Sequence, residues 1–268
     1  MIRDITIGQY YPAESVIHRL DPRVKLVGTL TFIISLFLHR SFLMYLVAAV
    51  FLTIVIKASK VPFRFMIKGF KAIMVLLLIT VVFNMFLTPG TPLIRIWKLT
   101  LTVEGVKQAA FMAIRLAFLI VGSSVMTLTT TPNHLTDGME KGLAPLNKLH
   151  VPVHEVSMIM SIALRFIPIL LEETDKIMKA QEARGADFDS GNLIQKAKSL
   201  VPLLVPLFIS AFRRANDLAM AMEARGYRGG EGRTKMKPLI YQKRDRMAYG
   251  VLLGYLAVMI LVGQFAPF

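Results

Sequence analysis

The 268-residue chain has no cysteine, one tryptophan, and charged side chains at only 18 % of positions. Without cysteine there is no disulfide scaffold, zinc ribbon, iron–sulfur site or thiol nucleophile, and only His, Asp and Glu remain as metal ligands. Charge this sparse, beside 54 % hydrophobic residues and a mean hydropathy of +0.56, is too little to solvate a globular surface, which ordinarily has about 25 % charged residues. These proportions place the chain in a membrane. The segment Met1–Pro12 carries Arg3 and Asp4 and has no apolar stretch ending in a small-residue cleavage site, so no removable signal peptide is expected.

Apolar runs at 24–38, 42–56, 72–87, 109–128 and 248–263 predict about five transmembrane helices. The first two are short: 15 residues at ~1.5 Å each reach roughly 22 Å, against a hydrocarbon thickness of roughly 30 Å. Arg23, Lys25, His39 and Arg40 could snorkel to close that gap, or the pair could form a thin or re-entrant hairpin. None of the five runs contains Asp or Glu, which disfavours an ion- or proton-driven transporter with a midplane carboxylate. Arg115 lies inside the fourth run, either snorkelling outward or facing a partner.

The formal charge of +15 has a topological explanation before a nucleic-acid one. Lys57, Lys60, Arg64, Lys68 and Lys71 fill one short loop with no acidic residue, and the long segment after the fourth run holds 18 Lys+Arg. Basic residues gather on the cytoplasmic side, so the N-terminus and the long insert are expected there, and nucleic acid is not expected as a partner. The basic run Arg228, Arg233, Lys235, Lys237, Lys243, Arg244 and Arg246 suits anionic lipid just before the last span.

The expected organisation is therefore all-α and polytopic: an N-terminal membrane region over 1–128, a helical cytoplasmic domain over 129–246, and a last transmembrane helix over 247–268. The insert reads as a short helix over 134–149 and two long ones, over 153–184 and 193–225, each apolar first and charged later. Pro168, Pro202 and Pro206 should kink or break them. Asp21-Pro22 reads as an N-cap followed by Pro at the first helical position. His150 and His154 with Glu155 invite a metal reading, but Pro152 breaks the i, i+4 geometry that zinc would use, and no metal site is expected.

The long helices end alike, with identical Glu-Ala-Arg-Gly at Glu182-Ala183-Arg184-Gly185 and, 41 residues on, Glu223-Ala224-Arg225-Gly226. Capping alone favours each copy: Gly supplies the left-handed cap, and Arg in the last turn complements the helix dipole. Capping, however, accepts Lys or His as readily as Arg. Repeated Arg suggests that each tip offers a planar fork to a carboxylate, and two equal tips suit a partner with two equivalent sockets.

The paired Ala-Arg-Gly motifs, together with His18-Arg19-Leu20-Asp21-Pro22-Arg23-Val24-Lys25-Leu26 before the first span, resemble the T component of energy-coupling factor (ECF) transporters, over essentially the whole chain. That resemblance implies a non-catalytic scaffold of an ABC-type importer of vitamins or other micronutrients, in a bacterial or archaeal cytoplasmic membrane. It implies two ATPase subunits, each holding one tip through Ala183, Arg184, Gly185 or Ala224, Arg225, Gly226, and a separate substrate-binding S component. ATP and Mg would belong to the ATPases, with no cofactor on this chain. Consistent with that, no G-x-x-x-x-G-K-[ST] occurs, and the Gly-rich stretch from Gly226 to Thr234 lacks the Lys-Ser/Thr pair. The stretch Pro202, Leu203, Leu204, Val205 and Pro206 is the expected docking surface for the S component. A permease of a conventional ABC importer would present one coupling loop rather than two tips. A membrane-embedded enzyme would need a cluster of carboxylates or histidines at the membrane face, and the spans contain none.

Overall fold

The structure is a computed structural model and describes residues 10–38, 41–96, 99–188, 192–229, 236 and 238–265. The helices are α1 (Pro22–Leu38), α2 (Phe42–Ser59), α3 (Phe63–Leu87), α4 (Val103–Thr129), α5 (Pro132–Leu143), α6 (Val153–Ala183), α7 (Leu193–Ser199), α8 (Val201–Ala224) and α9 (Lys243–Phe265). A 3-10 turn, Ala144–Leu149, follows α5. The protein is all-α and polytopic, with one addition that its apolar runs did not announce. Strands β1 (Pro92–Ile96) and β2 (Leu99–Thr102) form an antiparallel ribbon between α3 and α4. Thr102 ends the ribbon and caps α4, its Oγ1 accepting from the Gly105 backbone N–H at 3.0 Å.

Among the described residues five helical stretches are long and apolar enough to cross a membrane: Phe42–Ser59, Val103–Thr129, Val153–Ala183, Ile194–Ala224 and Lys243–Gln264. Three of the expected runs, at 42–56, 109–128 and 248–263, fall within these stretches. At 17 residues α1 reaches only about 25 Å, whereas α3 runs for 25 residues, about 37 Å. The long helices α6 and α8 pass the same test of length and composition, but each ends in a charged half and so suits the membrane interface rather than its interior. The basic stretch read as a loop over 57–71 is largely helical: α2 ends at Lys60 in the left-handed region (φ 55°), and after Val61 and Pro62 the chain re-enters helix at Phe63.

The chain forms two compact units, Glu140–Pro238 and Gly8–Met139 with Leu239–Phe268. In the second, α1, α2 and α9 share a buried core of Phe32, Leu36, Met44, Tyr45, Ala48, Leu52, Tyr255 and Met259, on which Phe111 and Phe118 of α4 pack. Phe51 stacks on Tyr255 with centroids 4.2 Å apart, and the Tyr255 hydroxyl meets Ser35 Oγ at 2.7 Å, so the phenol is satisfied inside the apolar bundle. Gly122 on α4 is required by Phe32, whose ring would lie 2.6 Å from an added Cβ.

The start of α1 follows the expected cap. Asp21 Oδ1 accepts from the Arg23 backbone N–H at 2.9 Å, and Arg23 Nη2 pairs with Asp21 Oδ2 at 2.8 Å while its guanidinium lies 3.7 Å over the Tyr241 ring. Buried Asp245 joins two helix starts, accepting from the backbone N–H of Asp21 at 2.9 Å and of Gln242 at 2.8 Å. Lys25 does not snorkel. It is turned inward and donates to the carbonyl of Thr129 at 2.8 Å, left free at the C-terminus of α4, and to that of His18 in the turn before α1 at 3.2 Å. Arg115 donates from Nε to the Tyr45 hydroxyl at 3.0 Å and sits 5.1 Å over the Phe37 ring. His39 and Arg40, the other snorkelling candidates, lie outside the described residues.

Candidate functional site: twin arginine tips

In the unit Glu140–Pro238, α6 and α8 run past one another in opposite directions. Glu173 meets α8 at Ser210 (3.4 Å) and Arg214 (2.9 Å), whereas Gln181, further along α6, donates to the carbonyl of Pro202, earlier along α8, at 3.3 Å. Glu173 and Arg214 occupy equivalent positions of the repeat. Each lies eleven residues before its helix's terminal arginine, roughly 16 Å along the axis. The pair is half-buried, and Arg214 Nε is buried with no partner among the described residues. Because the helices are antiparallel, Arg184 and Arg225 stand at opposite ends of the pair, at equal distances from its crossing.

The tips share one backbone geometry. Arg184 (φ −89°, ψ 4°) and Arg225 (φ −90°, ψ 9°) are the last near-helical residues, and Gly185 (φ 88°) and Gly226 (φ 72°) turn left-handed. In the first tip the N–H of Gly185 donates to Glu182 O at 2.9 Å and that of Ala186 to Gln181 O at 2.9 Å. In the second, Gly226 donates to Glu223 O at 2.8 Å and Tyr227 to Met222 O at 3.0 Å. Both are Schellman caps, in which glycine takes the left-handed conformation without the strain that a Cβ would add. Ala183, Arg184 and Gly185 are exposed, as are Ala224, Arg225 and Gly226. Among the described residues neither guanidinium has a hydrogen-bond or ion-pair partner within the chain, so both forks are free to meet an acidic group.

The prolines act unequally. α6 runs through Pro168 and α8 through Pro206, whereas Pro202 lies in the first turn of α8, just after the break at Leu200, where its missing N–H is harmless. The long helix expected over 193–225 is accordingly divided into α7 and α8. Within the expected docking stretch Leu204 and Val205 are exposed, as is Pro202, and Pro206 is half-buried, whereas Leu203 is buried and packs within the chain. Further along α8 the larger apolar groups Phe208 and Phe212 are exposed at 60 % and 67 %.

Two features of this unit went unread in the sequence. The Glu173–Arg214 contact is one, although its members sit at the repeat's own 41-residue spacing, which could have found it. The other is Glu140, which accepts from Ser157 Oγ at 2.9 Å and meets His154 Nδ1 at 3.0 Å, holding the first turns of α6. Among the described residues no three His, Asp or Glu side chains gather as a metal site would require. Of the basic run before the last span, Arg233, Lys235 and Lys237 lie outside the described residues, as does the glycine-rich stretch beyond Gly229.

A family model described as the cobalt transport protein CbiQ matches residues 13–236, a stretch that includes both tips. The energy-coupling factor transporter transmembrane protein EcfT of Clostridium kluyveri is 59 % identical over 264 residues, covering 97 % of each chain. The protein of the same name in Thermosediminibacter oceani is 53 % identical, over 98 % of this chain and 99 % of the relative. That of Bacillus subtilis is 48 % identical, over 91 % and 93 %.

Proposed function

The chain belongs to the CbiQ family, among the transmembrane components of energy-coupling factor transporters, and from that premise we propose that it is the scaffold through which two cytoplasmic ATPases drive a separate substrate-binding membrane subunit. The observation that carries the reading is the equivalence of the tips: one cap, one exposed arginine, one distance from the crossing at Glu173 and Arg214. A half-turn about that crossing exchanges the two ends of an antiparallel pair. The partner such a pair fits is itself two-fold or pseudo-two-fold, with one acidic socket per subunit. An ATPase pair that closes on nucleotide would move both sockets together, and α6 and α8, tied at Glu173–Arg214, would transmit the movement as a unit.

In this mechanism Arg184 and Arg225 each offer a planar donor fork to a carboxylate of an ATPase groove, while the left-handed glycine beside each turns the following chain out of the way. ATP and Mg are held by the ATPases, and this chain supplies no catalytic group. The exposed apolar residues of α8, Leu204 and Val205 with Phe208 and Phe212, give the substrate-binding subunit an apolar surface to move against. The basic balance of the insert favours its placement, with the N-terminus, on the cytoplasmic side of a bacterial or archaeal cytoplasmic membrane. Vitamins and metal micronutrients are the expected cargo class, the choice resting with the substrate-binding subunit.

The test replaces both arginines. Arg184→Ala with Arg225→Ala should leave membrane insertion intact while the ATPases no longer co-purify and substrate uptake is lost. Normal uptake by the double variant would sink the assignment.

A further inference from the structure

The unit Gly8–Met139 with Leu239–Phe268 contains an apolar groove of about 390 Å³ between α1, α2, α4 and α9, within the ~300–1,000 Å³ range of small-molecule clefts. Phe32, Leu52, Val55, Val125 and Leu252 line it. Along α1 the lining extends from Val24 to Phe32, about 12 Å of helix. Two cations border the groove, and they are in opposite states. Lys25 is satisfied by the carbonyls of His18 and Thr129. Arg244 has no hydrogen-bond or ion-pair partner among the described residues, and its Nε is buried. Asp245, next to it in sequence, turns its oxygens to the backbone N–H groups of Asp21 and Gln242 and makes no hydrogen bond or ion pair with Arg244. The groove is thus a slot without polar demand, edged by one uncompensated guanidinium, with exposed Lys243 and Arg246 adding positive charge.

We propose that this groove is a lipid site, taking one acyl chain of an anionic phospholipid whose phosphate is held by Arg244. A phosphate oxygen would supply the acceptor that Arg244 Nε lacks, in the bidentate geometry a guanidinium favours. The lipid chain would fill apolar space that water would occupy poorly. This site is independent of the arginine tips and of any ATPase.

Native mass spectrometry of the full chain released from nanodiscs tests it. The discs contain equimolar dioleoyl phosphatidylglycerol and dioleoyl phosphatidylcholine. One retained lipid is expected per chain, with phosphatidylglycerol favoured about fivefold, the ratio that one basic residue at a membrane surface gives. Arg244→Gln should abolish the preference while a lipid of either kind is still retained. Gly28→Leu should abolish retention itself. An added Cβ at Gly28 meets nothing closer than Leu252 Cδ1 at 4.0 Å, so leucine can enter the groove without disturbing the backbone, and it is the better helix former. Equal retention of the two lipids by the unaltered chain overturns the role of Arg244. Retention unaffected by Gly28→Leu overturns the site, and so does the absence of any retained lipid, which would leave the groove to a protein helix.

Discussion

The two units differ in how much of their apolar surface they bury within themselves. In Gly8–Met139 with Leu239–Phe268, the large side chains of four helices close on each other, with Leu36 at 2 % and Phe32 at 3 % exposure and Tyr255 tied to Ser35. In Glu140–Pro238, α6 buries only Val153 and Ser157, and α8 only Leu203, although both helices are apolar along half their length. One unit has a continuous buried core beneath apolar faces that stay exposed, and the other has almost no buried core beneath its exposed apolar residues and arginine tips. A helix pair with so little buried core owes less of its stability to its own side chains, whereas the cored unit depends on them. The contrast predicts that substitutions in the open unit cost function without stability, and that those in the closed unit cost stability first.

The largest effect should come from the tips. Truncating one member of a desolvated charged pair at an interface costs about 2 to 5 kcal/mol, so losing both arginines should weaken ATPase attachment by at least ~10³-fold. Thermal unfolding should stay within the scatter of surface substitutions. Charge-conserving variants sharpen the point: Arg184→Lys with Arg225→Lys keeps the dipole complement and the caps but removes the forks. Pull-down of the ATPases should fall nearly as far as with alanine. Full attachment by the lysine pair would return the motif to a capping role.

Next comes the closed core. Phe32→Ala should destabilise by about 3 to 5 kcal/mol, seen as a lowered unfolding midpoint of the detergent-solubilised chain, because Phe32 fills the space that Gly122 leaves open and contacts Phe51 and Tyr255. Phe212→Ala on α8, removing a ring of the same size at 67 % exposure, should change that midpoint little. Equal losses at the two positions would mean that the units do not differ as described.

The twin caps were legible because everything they need is local: a helix former, a last-turn arginine and a glycine at the left-handed position all lie in four consecutive letters. The start of α1 at Asp21-Pro22 was legible for the same reason. Tertiary arrangement was not. The 41-residue repeat makes Glu173 and Arg214 equivalent positions, but only the way the two helices, separated by α7, cross brings them face to face. Lys25 shows how a local rule can mislead. A lysine at the edge of an apolar run ordinarily reaches for head groups, but here two carbonyls within the fold offered better partners. The ribbon of β1 and β2 leaves no mark among the apolar runs, although Leu99-Thr100-Leu101-Thr102 alternates as a strand does, because a half-exposed strand shows period two rather than a continuous apolar stretch.

A smaller effect belongs to the crossing of α6 and α8. Glu173 and Arg214 are only half-buried, so their coupling in a double-mutant cycle with Glu173→Gln and Arg214→Gln should be about 1 kcal/mol or less in stability. Coupled transport should suffer more than that figure suggests, because the contact holds the tips at their separation. The discriminating measurement is uptake per ATP hydrolysed. A drop with attachment intact fits a strut, whereas an unchanged ratio would show that the helices keep their crossing without this pair.

The smallest effect should appear only in the closed unit, as a dependence on pH. His18 packs into the turn before α1, where Ser15 Oγ lies 2.7 Å from Nδ1 and Nε2 donates to the Tyr11 carbonyl at 3.0 Å. Burial lowers its pKa; the Tyr11 carbonyl opposes that, and the nearby Lys25 charge adds to it. The folded chain therefore resists a proton that the unfolded chain accepts below ~6.5, and stability should fall as pH drops from ~6.5 toward the folded value and then level off. His18→Gln removes this group, so between pH 7.5 and 5.5 its unfolding midpoint should decline less than that of the unaltered chain. Because the tips contain no histidine, ATPase attachment should show no matching difference between the two proteins across that window. A larger decline in the glutamine variant would reverse the sign and refute the buried neutral state.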